Sequence, residues 1–452
     1  MLLRIARAIL GTVTTLVAVA ARADDWPQWL GPHRDGVWRE SGICRELPQK
    51  GPPIRWRTSI GGGYAGPAVA EGRVFVTDRL LVPGQQDPDN PFQRGRTASL
   101  ERVLCLRESD GKVLWKHEYS CAYTISYPAG PRATPAVSDC KVYTLGAEGH
   151  FFCLAIDDGH VVWSRDLKQD YRIRETPVWG FASHPLVDGE AVICLVGAED
   201  ALVVAWDKQT GRELWRALSA QGPHGPGYSA PILVTAGGRR QLIVWHPAGI
   251  SSLNPATGEL FWQQPFPVRE GLSLATPRVA GNRLFVSAFY DGSLMLQLAD
   301  DRPMASRLWQ RRGANERNTD ALHCLISTPF LDGDYIYGVC SYGQLRCLDA
   351  RDGRRLWESL EATGATGSGT DRWANAFLVK HEDRYFLFNE KGELIIAKLS
   401  PEGYQEISRS QLLEPTGTAM RRKVVWSHPA FANRSIYARN DKEIVCASLA
   451  AP

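Results

Sequence analysis

The chain has 452 residues, of which 52 are lysine or arginine and 49 are aspartate or glutamate. Its first 23 residues contain three arginines and no acidic residue, so the remainder carries equal numbers of basic and acidic side chains. This balance argues against nucleic acid and anionic membrane surfaces as partners, because both attract proteins with a concentrated basic excess.

Residues 1–23 are predicted to form a secretory signal peptide. Two arginines precede a mostly apolar stretch from Ile9 to Ala21, and ARA at 21–23 matches the small-x-small pattern of a cleavage site. The apolar stretch is short for a bilayer span, and an uncleaved N-terminal anchor is the alternative. We therefore expect an exported protein, periplasmic or extracellular, with residues 24–452 as its folded part and no membrane span after cleavage.

Tryptophans recur along the chain at intervals of 47 to 52 residues. Between them lie short apolar segments separated by Gly, Asp and Asn turns, without a helical period. Four strands in nearly fifty residues is the size of a propeller blade. The recurring tryptophans are Trp115, Trp163, Trp215, Trp262, Trp309 and Trp357.

Each unit also opens on a similar short strand, and there are eight such openings. The sequence therefore predicts an all-β fold, a single eight-bladed β-propeller over residues 24–452. The residues that mark the openings are Pro67, Pro135, Pro185, Pro231, Pro277, Pro329, Ala376 and Pro429.

The last unit has too few residues for a full blade, because only three residues follow EIVCASL at 443–449. The missing strand is predicted at the other end of the chain, where IRWRTSI at 54–60 resembles VLWKHEY at 113–119. An N-terminal strand in this place would close the ring and remove two free sheet edges.

A turn glycine precedes most of the repeat tryptophans by four residues, as in DGKVLWK at 110–116. A catalytic motif is needed once, whereas this one recurs, so we interpret it as structural. The glycine is assigned to a hairpin turn and the tryptophan to the space between neighbouring blades. Two units depart from the pattern: Ala305 replaces the glycine before Trp309, and residues 398–409 contain no tryptophan.

The spacing of the ten cysteines argues against a simple disulfide framework. Cys105, Cys153 and Cys347 each lie six residues before a repeat glycine, so they occupy equivalent positions in different blades. We predict them to be buried apolar side chains that do not pair with each other. For Cys44, Cys121 and Cys324 the sequence leaves the pairing open.

The repeat units resemble the pyrroloquinoline quinone (PQQ) type of propeller repeat. The residues that carry the resemblance are GHFFCLAIDDGHVVW at 149–163 and GQLRCLDARDGRRLW at 343–357. DWPQWLGPHRDGV at 25–37 is also similar to the start of exported PQQ-like repeat proteins of bacteria. The resemblance covers residues 25–450 and is specific for fold but not for function, because the repeated residues are structural.

Two groups within this resemblance imply different functions. Quinoprotein alcohol dehydrogenases hold PQQ at the central tunnel against a tryptophan and a disulfide between adjacent cysteines, with a calcium ion bound by carboxylates and amides. This sequence has no adjacent cysteine pair and no C-x-x-C-H haem site. The BamB-type lipoprotein keeps the propeller as a binding scaffold without a cofactor, but this chain has no lipobox cysteine.

A candidate ligand site is predicted around the tunnel mouth. The connections between blades are long and lie on the same face as those between second and third strands, and the insertion from about Arg79 to Glu101 adds to this long-loop face. Residues just before each opening strand should surround the tunnel, and aromatic, histidine and arginine side chains are common linings of ligand sites. An alternative is that they only fill a wide ring. The candidates are Tyr64, Arg132, Trp179, His184, Tyr228, His323, Trp373, Trp426 and His428.

We favour a non-catalytic binding or assembly scaffold whose protein or small-molecule partner meets the long-loop face. The alternative is a quinoprotein-like oxidoreductase of the alcohol dehydrogenase type, with PQQ and calcium at the tunnel mouth. Asp320, Asn315 and Glu175 carry suitable oxygen ligands on the long segments, but no motif brings them together. No catalytic residue and no metal ligand is therefore assigned, and no cofactor is assured.

Overall fold

The computed structural model describes residues 24–220 and 224–452. The predicted signal peptide lies outside the described residues. No helix in the described part of the chain is long and apolar enough to cross a membrane.

Eight four-stranded antiparallel sheets form the blades of a propeller, as the repeat predicts. The N-terminal strand β1 spans Ile54–Ser59. Blade one contains β2 (Ala68–Ala70), β3 (Arg73–Leu81), β4 (Thr97–Arg107) and β5 (Val113–Tyr123). Blade two contains β6 (Ala136–Ser138), β7 (Lys141–Leu145), β8 (His150–Ala155) and β9 (Val161–Asp166), followed by the short helix α1 (Leu167–Asp170). Blade three contains β10 (Leu186–Asp188), β11 (Ala191–Ala198), β12 (Ala201–Asp207) and β13 (Glu213–Ala217).

The remaining blades follow the same order from the hub outward. Blade four contains β14 (Ile232–Ala236), β15 (Arg239–His246), β16 (Gly249–Leu253) and β17 (Leu260–Pro265). Blade five contains β18 (Arg278–Ala280), β19 (Arg283–Ala288), β20 (Gly292–Leu298) and β21 (Ala305–Arg311). Blade six contains β22 (Phe330–Asp332), β23 (Tyr335–Val339), β24 (Leu345–Asp349) and β25 (Arg355–Ser359). Blade seven contains β26 (Ala376–His381), β27 (Arg384–Asn389), β28 (Glu393–Ser400) and β29 (Gly403–Gln411).

Blade eight is built from both ends of the chain. Its inner strands follow a small hairpin of β30 (Gly417–Ala419) and β31 (Arg422–Val424), and they are β32 (Ala430–Ala432), β33 (Ser435–Arg439) and β34 (Glu443–Ser448). Strand β1 pairs antiparallel with β34, with Trp56 opposite Cys446. The predicted closure by residues 54–60 is confirmed. Two short 3₁₀ helices, Arg269–Gly271 and Gly369–Asp371, lie in the links between blades.

The repeat tryptophans join neighbouring blades. The indole N–H of Trp115 in blade one donates to the carbonyl oxygen of Ile156 in blade two, at 2.8 Å, and Trp163 donates to Lys208 in blade three. Trp262 departs from this pattern and donates to Gln241 of its own blade. The next blade is the one that lacks the turn glycine, so the irregularity in sequence coincides with a changed contact. The structural interpretation of this motif is confirmed.

All ten cysteines are unpaired, and nine of them are buried. Cys105, Cys153 and Cys347 are each fully buried in different blades, as predicted. The insertion that begins near Arg79 is continuous with two strands of blade one. Its two ends extend β3 and β4, and the Arg79 guanidinium binds Asp87 at 2.7 Å inside the remaining loop.

The N-terminal segment before β1 crosses the hub of the propeller. The backbone of Trp26 pairs with that of Val69 in blade one, and the backbone N–H of Trp38 donates to the carbonyl oxygen of Lys380 in blade seven. Between them, the Arg34 guanidinium donates to the carbonyl oxygen of Pro185 before blade three. Because it contacts the innermost strands of blades on opposite sides of the ring, this segment closes the central tunnel. The repeat pattern alone does not predict this plug.

Candidate functional site: an aromatic cavity at the hub

A cavity of about 400 Å³ opens at the centre of the long-loop face. Nearly all of its lining comes from the links between blades and from the loops between second and third strands. Eight of the nine candidate residues line it: Tyr64, Arg132, Trp179, His184, Tyr228, Trp373, Trp426 and His428. Further lining residues, which the sequence analysis did not select, are Trp29, Phe92, Tyr127, Ala182, Glu270, Leu272, Leu274, Tyr290, Leu325, Ile326 and Phe377.

His323 does not line the cavity, contrary to its selection. Its side chain is fully buried, with Nδ1 2.8 Å from the carbonyl oxygen of Phe289 and Nε2 3.1 Å from the hydroxyl of Thr319. The link before blade six is long enough to fold back on itself, so Leu325 and Ile326 reach the cavity instead. In this blade, position in the sequence just before the opening strand therefore did not predict which residue lines the cavity.

The floor of the cavity is formed by the N-terminal plug. The indole of Trp29 stacks on the imidazole of His184, with ring centroids 3.9 Å apart and planes 7° apart. His428 meets the same indole edge-on at 4.9 Å. The Trp29 N–H donates to the hydroxyl of Thr276, at 2.8 Å, which anchors the ring to blade five. A ligand entering from the long-loop face would therefore meet an aromatic floor.

Both floor histidines have one ring nitrogen engaged by the backbone. Nδ1 of His184 accepts from the N–H of Thr134, at 2.8 Å, and Nδ1 of His428 donates to the carbonyl of Pro429, at 2.7 Å. Burial lowers the pKa of His428 to about 4, and it also holds the pKa of His184 well below its usual value. The two imidazoles are therefore neutral near pH 7, and each has only Nε2 left for a ligand.

Three wall residues have a left-handed backbone. Tyr127, Glu270 and Trp373 have φ values of 51°, 56° and 69°. Such values are uncommon for non-glycine residues, and strained backbone clusters at ligand sites. The Phe92 ring packs edge-on against Tyr127 at 5.1 Å and lies 5.6 Å from the ring of Trp373. The cavity wall is thus a set of aromatic rings that support each other.

An ion pair between a buried glutamate and a partly exposed arginine supports Trp426. Its indole N–H donates to Glu390, at 3.1 Å, and the same carboxylate binds the Arg422 guanidinium at 2.6 Å. The Glu390 side chain is almost completely buried. Glu390 lies in the turn after β27, more than thirty residues before Trp426, and the sequence gives no signal that joins them.

The only cation that lines the cavity among the described residues is Arg132. Its guanidinium donates to the carbonyl oxygens of Gly130, Ser126 and Tyr127 and lies over the ring of Tyr64, 5.1 Å from its centroid. Burial lowers the pKa of Arg132, but it remains charged at neutral pH. The hydroxyl of Tyr127 is buried and has no hydrogen-bond partner among the described residues.

The lining does not fit a calcium-bound quinone. Calcium takes about six to eight oxygen ligands, including carboxylates and amide carbonyls. Among the described residues that line the cavity, Glu270 is the one carboxylate, and none is an asparagine or glutamine. The polar side chains on the long segments lie elsewhere: Asp320 binds Arg311, Glu175 lies 3.7 Å from Arg94, and Asn315 accepts from nearby backbone N–H groups.

The family described as outer membrane protein assembly factor BamB matches residues 99–359 and 319–451 of the chain. BamB of Shewanella oneidensis is 20% identical over 377 residues, which are 75% of this chain and 79% of that protein. The quinohemoprotein alcohol dehydrogenase ADH-IIG of Pseudomonas putida is 22% identical over 191 residues. That match covers 42% of this chain but only 26% of the dehydrogenase.

Among solved structures, the quinohemoprotein alcohol dehydrogenase of Comamonas testosteroni superimposes with a TM-score of 0.61 at 12% identity. The match covers 96% of this chain and 82% of the dehydrogenase. At this identity the likeness concerns the fold alone.

Proposed function

Since the chain belongs to the family described as outer membrane protein assembly factor BamB, we propose that it is a non-catalytic scaffold that acts after export and binds its partner at the long-loop face. The observation that carries the proposal is the aromatic cavity at the hub. Buried aromatic anchors that fill a pocket supply most of the binding energy in many protein interfaces. In such an interface, the cavity of this protein would be the pocket and the partner would provide the aromatic anchor.

The partner that fits best is a protein segment with an exposed aromatic side chain. The cavity walls are mostly aromatic, its floor is the stacked pair of Trp29 and His184, and Arg132 supplies one cation. Strands of outer-membrane barrels carry aromatic side chains near the membrane interfaces, and these are exposed before the strands insert. A segment of this kind would place one aromatic ring in the cavity while its backbone lies across the surrounding loops.

The quinoprotein-like oxidoreductase remains the alternative, and the resemblance to alcohol dehydrogenases motivates it. The lining supports it less well, because Glu270 is the one carboxylate that the described lining residues would offer to a calcium ion. We therefore assign no reaction to this cavity.

Titration with synthetic peptides tests the proposal. The probe is a ten-residue peptide of alternating polar and apolar residues with one phenylalanine near its end. Its binding is measured by calorimetry or by tryptophan fluorescence. We expect saturable binding that is lost when the phenylalanine is replaced by serine. The Trp373→Ala variant should weaken binding at least tenfold, because Trp373 lines the cavity wall.

Leu308→Ala is the matched control. Leu308 is 46% exposed on the outer strand of blade five, far from the hub, and its loss should leave binding unchanged. Equal weakening by both variants would mean that peptides pair with the outer strands and not with the cavity. Equal binding of the phenylalanine peptide and its serine variant would also contradict the proposal.

A further inference from the structure

A second cluster of functional groups lies between blades one and two, away from the cavity. It contains Glu101 on β4, Cys121 on β5 and His150 at the start of β8. One carboxylate oxygen, the sulfur and one ring nitrogen all lie within 4.8 Å of one another. The Cys121 sulfur is 3.8 Å from Nδ1 of His150. Three different types of metal ligand therefore lie close to one another.

Glu101 is a buried carboxylate without a cationic partner. Its side chain is 1% exposed, and no lysine, arginine or histidine among the described residues lies within salt-bridge distance of it. Its hydrogen bonds come from neutral donors: the hydroxyls of Tyr119 and Tyr123, and the N–H of Ala147 at 3.0 Å. Buried charges in proteins are paired with an opposite charge or bind a metal ion.

The positively charged side chains near Glu101 bind other groups. Lys168 binds Glu148 at 2.8 Å, and Arg79 binds Asp87 at 2.7 Å. Arg132 donates to backbone carbonyls at the cavity. Within residues 24–220 and 224–452, no cation therefore pairs directly with the Glu101 carboxylate.

We propose that Glu101, Cys121 and His150 bind one divalent cation of the zinc class. Nitrogen, sulfur and carboxylate oxygen are the ligands that zinc uses, and three protein ligands leave a fourth position for water. A carboxylate has about four lone-pair positions, and the neutral donors use three of those on Glu101. The two tyrosine hydroxyls and the Ala147 N–H then orient the metal-bound carboxylate, as outer-shell groups do in metal sites.

Charge balance supports a divalent ion. Cys121 binds as a thiolate and releases its proton to solvent on metal binding. One carboxylate, one thiolate and one neutral imidazole around a divalent ion give a neutral buried site. Because the ligands come from blades one and two, the ion would also join these two blades.

Cobalt(II) is the probe for the test, because a thiolate bound to cobalt gives a charge-transfer band in the near ultraviolet. The full chain, freed of metal with a chelator, is titrated with cobalt(II) and then with zinc(II). We expect a band that saturates at one equivalent of cobalt and disappears when zinc displaces it. Cys121→Ser should abolish the band.

Cys140→Ser is the control, since Cys140 is the one exposed cysteine and the obvious place for unspecific binding. This variant should keep the full band. No band in the unmodified chain, a band that survives Cys121→Ser, or a band lost in Cys140→Ser would each overturn the proposal.

His150→Ala separates loss of metal from loss of fold. His150 is only partly buried, so this variant should keep its circular dichroism spectrum. We expect zinc to raise the melting temperature of the unmodified chain and of Cys140→Ser but not of His150→Ala. An equal rise in folded His150→Ala would rule out histidine ligation and overturn the site.

Discussion

Gly159 in the turn of blade two lies directly against the indole of Trp115 in blade one. A Cβ atom at position 159 would overlap this ring. The same relationship joins Gly211 to Trp163 and Gly258 to Trp215, where the added carbon would lie 2.6 Å and 2.7 Å from the ring atoms. The turn glycine is thus required by the tryptophan of the preceding blade as well as by its own backbone.

Gly159→Ala should therefore destabilise the protein more than a glycine replacement in an open turn. Gly72→Ala is the matched control, because Gly72 has a similar φ of +70°, against +74° for Gly159, and open space around it. The control should cost about 1–2 kcal/mol for its left-handed backbone. Gly159→Ala should cost about 1–3 kcal/mol more through overpacking. Chemical denaturation measures both, and equal losses would show that the tryptophan contact contributes nothing.

Removal of residues 24–60 should open the ring. The deletion takes away β1, which covers the edge of β34, together with the plug that crosses the hub. Exposed strand edges promote aggregation. We expect an aggregated product or a much lower melting temperature, measured by light scattering and circular dichroism. A monomeric product with unchanged melting would contradict closure by the N-terminal strand.

Stability should decrease as the pH falls below about 6.5. Burial lowers the pKa values of His428 and His246 to about 4 in the folded protein, from 6.5 as the ordinary value. The unfolded chain therefore binds protons more strongly between these values, so stability is lost as the pH falls through 6.5 and the loss is complete below about 4. Each histidine contributes a slope of at most about 1.4 kcal/mol per pH unit.

The His428→Gln variant should show a shallower dependence of unfolding free energy on pH between 6.5 and 4. His33→Gln, at an exposed position, controls for the loss of an imidazole. Urea unfolding at a series of pH values gives the slopes. Parallel curves for His428→Gln and the unmodified protein would show that His428 is not buried as a neutral group.

PQQ with calcium should leave the melting temperature unchanged and should support no dye-linked alcohol oxidation. The reason is the single carboxylate, Glu270, in the described lining of the cavity. A ligand at a hundredfold excess over its dissociation constant stabilises a fold by about 2.7 kcal/mol, so real binding would be visible. A calcium-dependent rise in melting temperature that disappears in Trp426→Ala would favour the oxidoreductase over the scaffold.

The blades, their number and the closure of the ring follow from the amino-acid sequence alone. The sequence carries these features as local patterns: turn glycines, repeat tryptophans and opening strands. The patterns recur because each blade makes a similar contact with the next, as between Trp115 and Ile156. It also identified eight residues of the cavity lining, because position before an innermost strand places a side chain near the axis of any propeller.

Which side chains actually face the cavity depends on how the links between blades fold in three dimensions. His323 turns away because its link folds back, Trp29 forms the floor because the N-terminal segment crosses the hub, and Glu390 reaches Trp426 across a blade link. The convergence of Glu101 and Cys121 on His150 likewise joins two blades. These contacts join residues whose separation in sequence follows no period, and they depend on how the links fold over the ring, which the repeat does not encode.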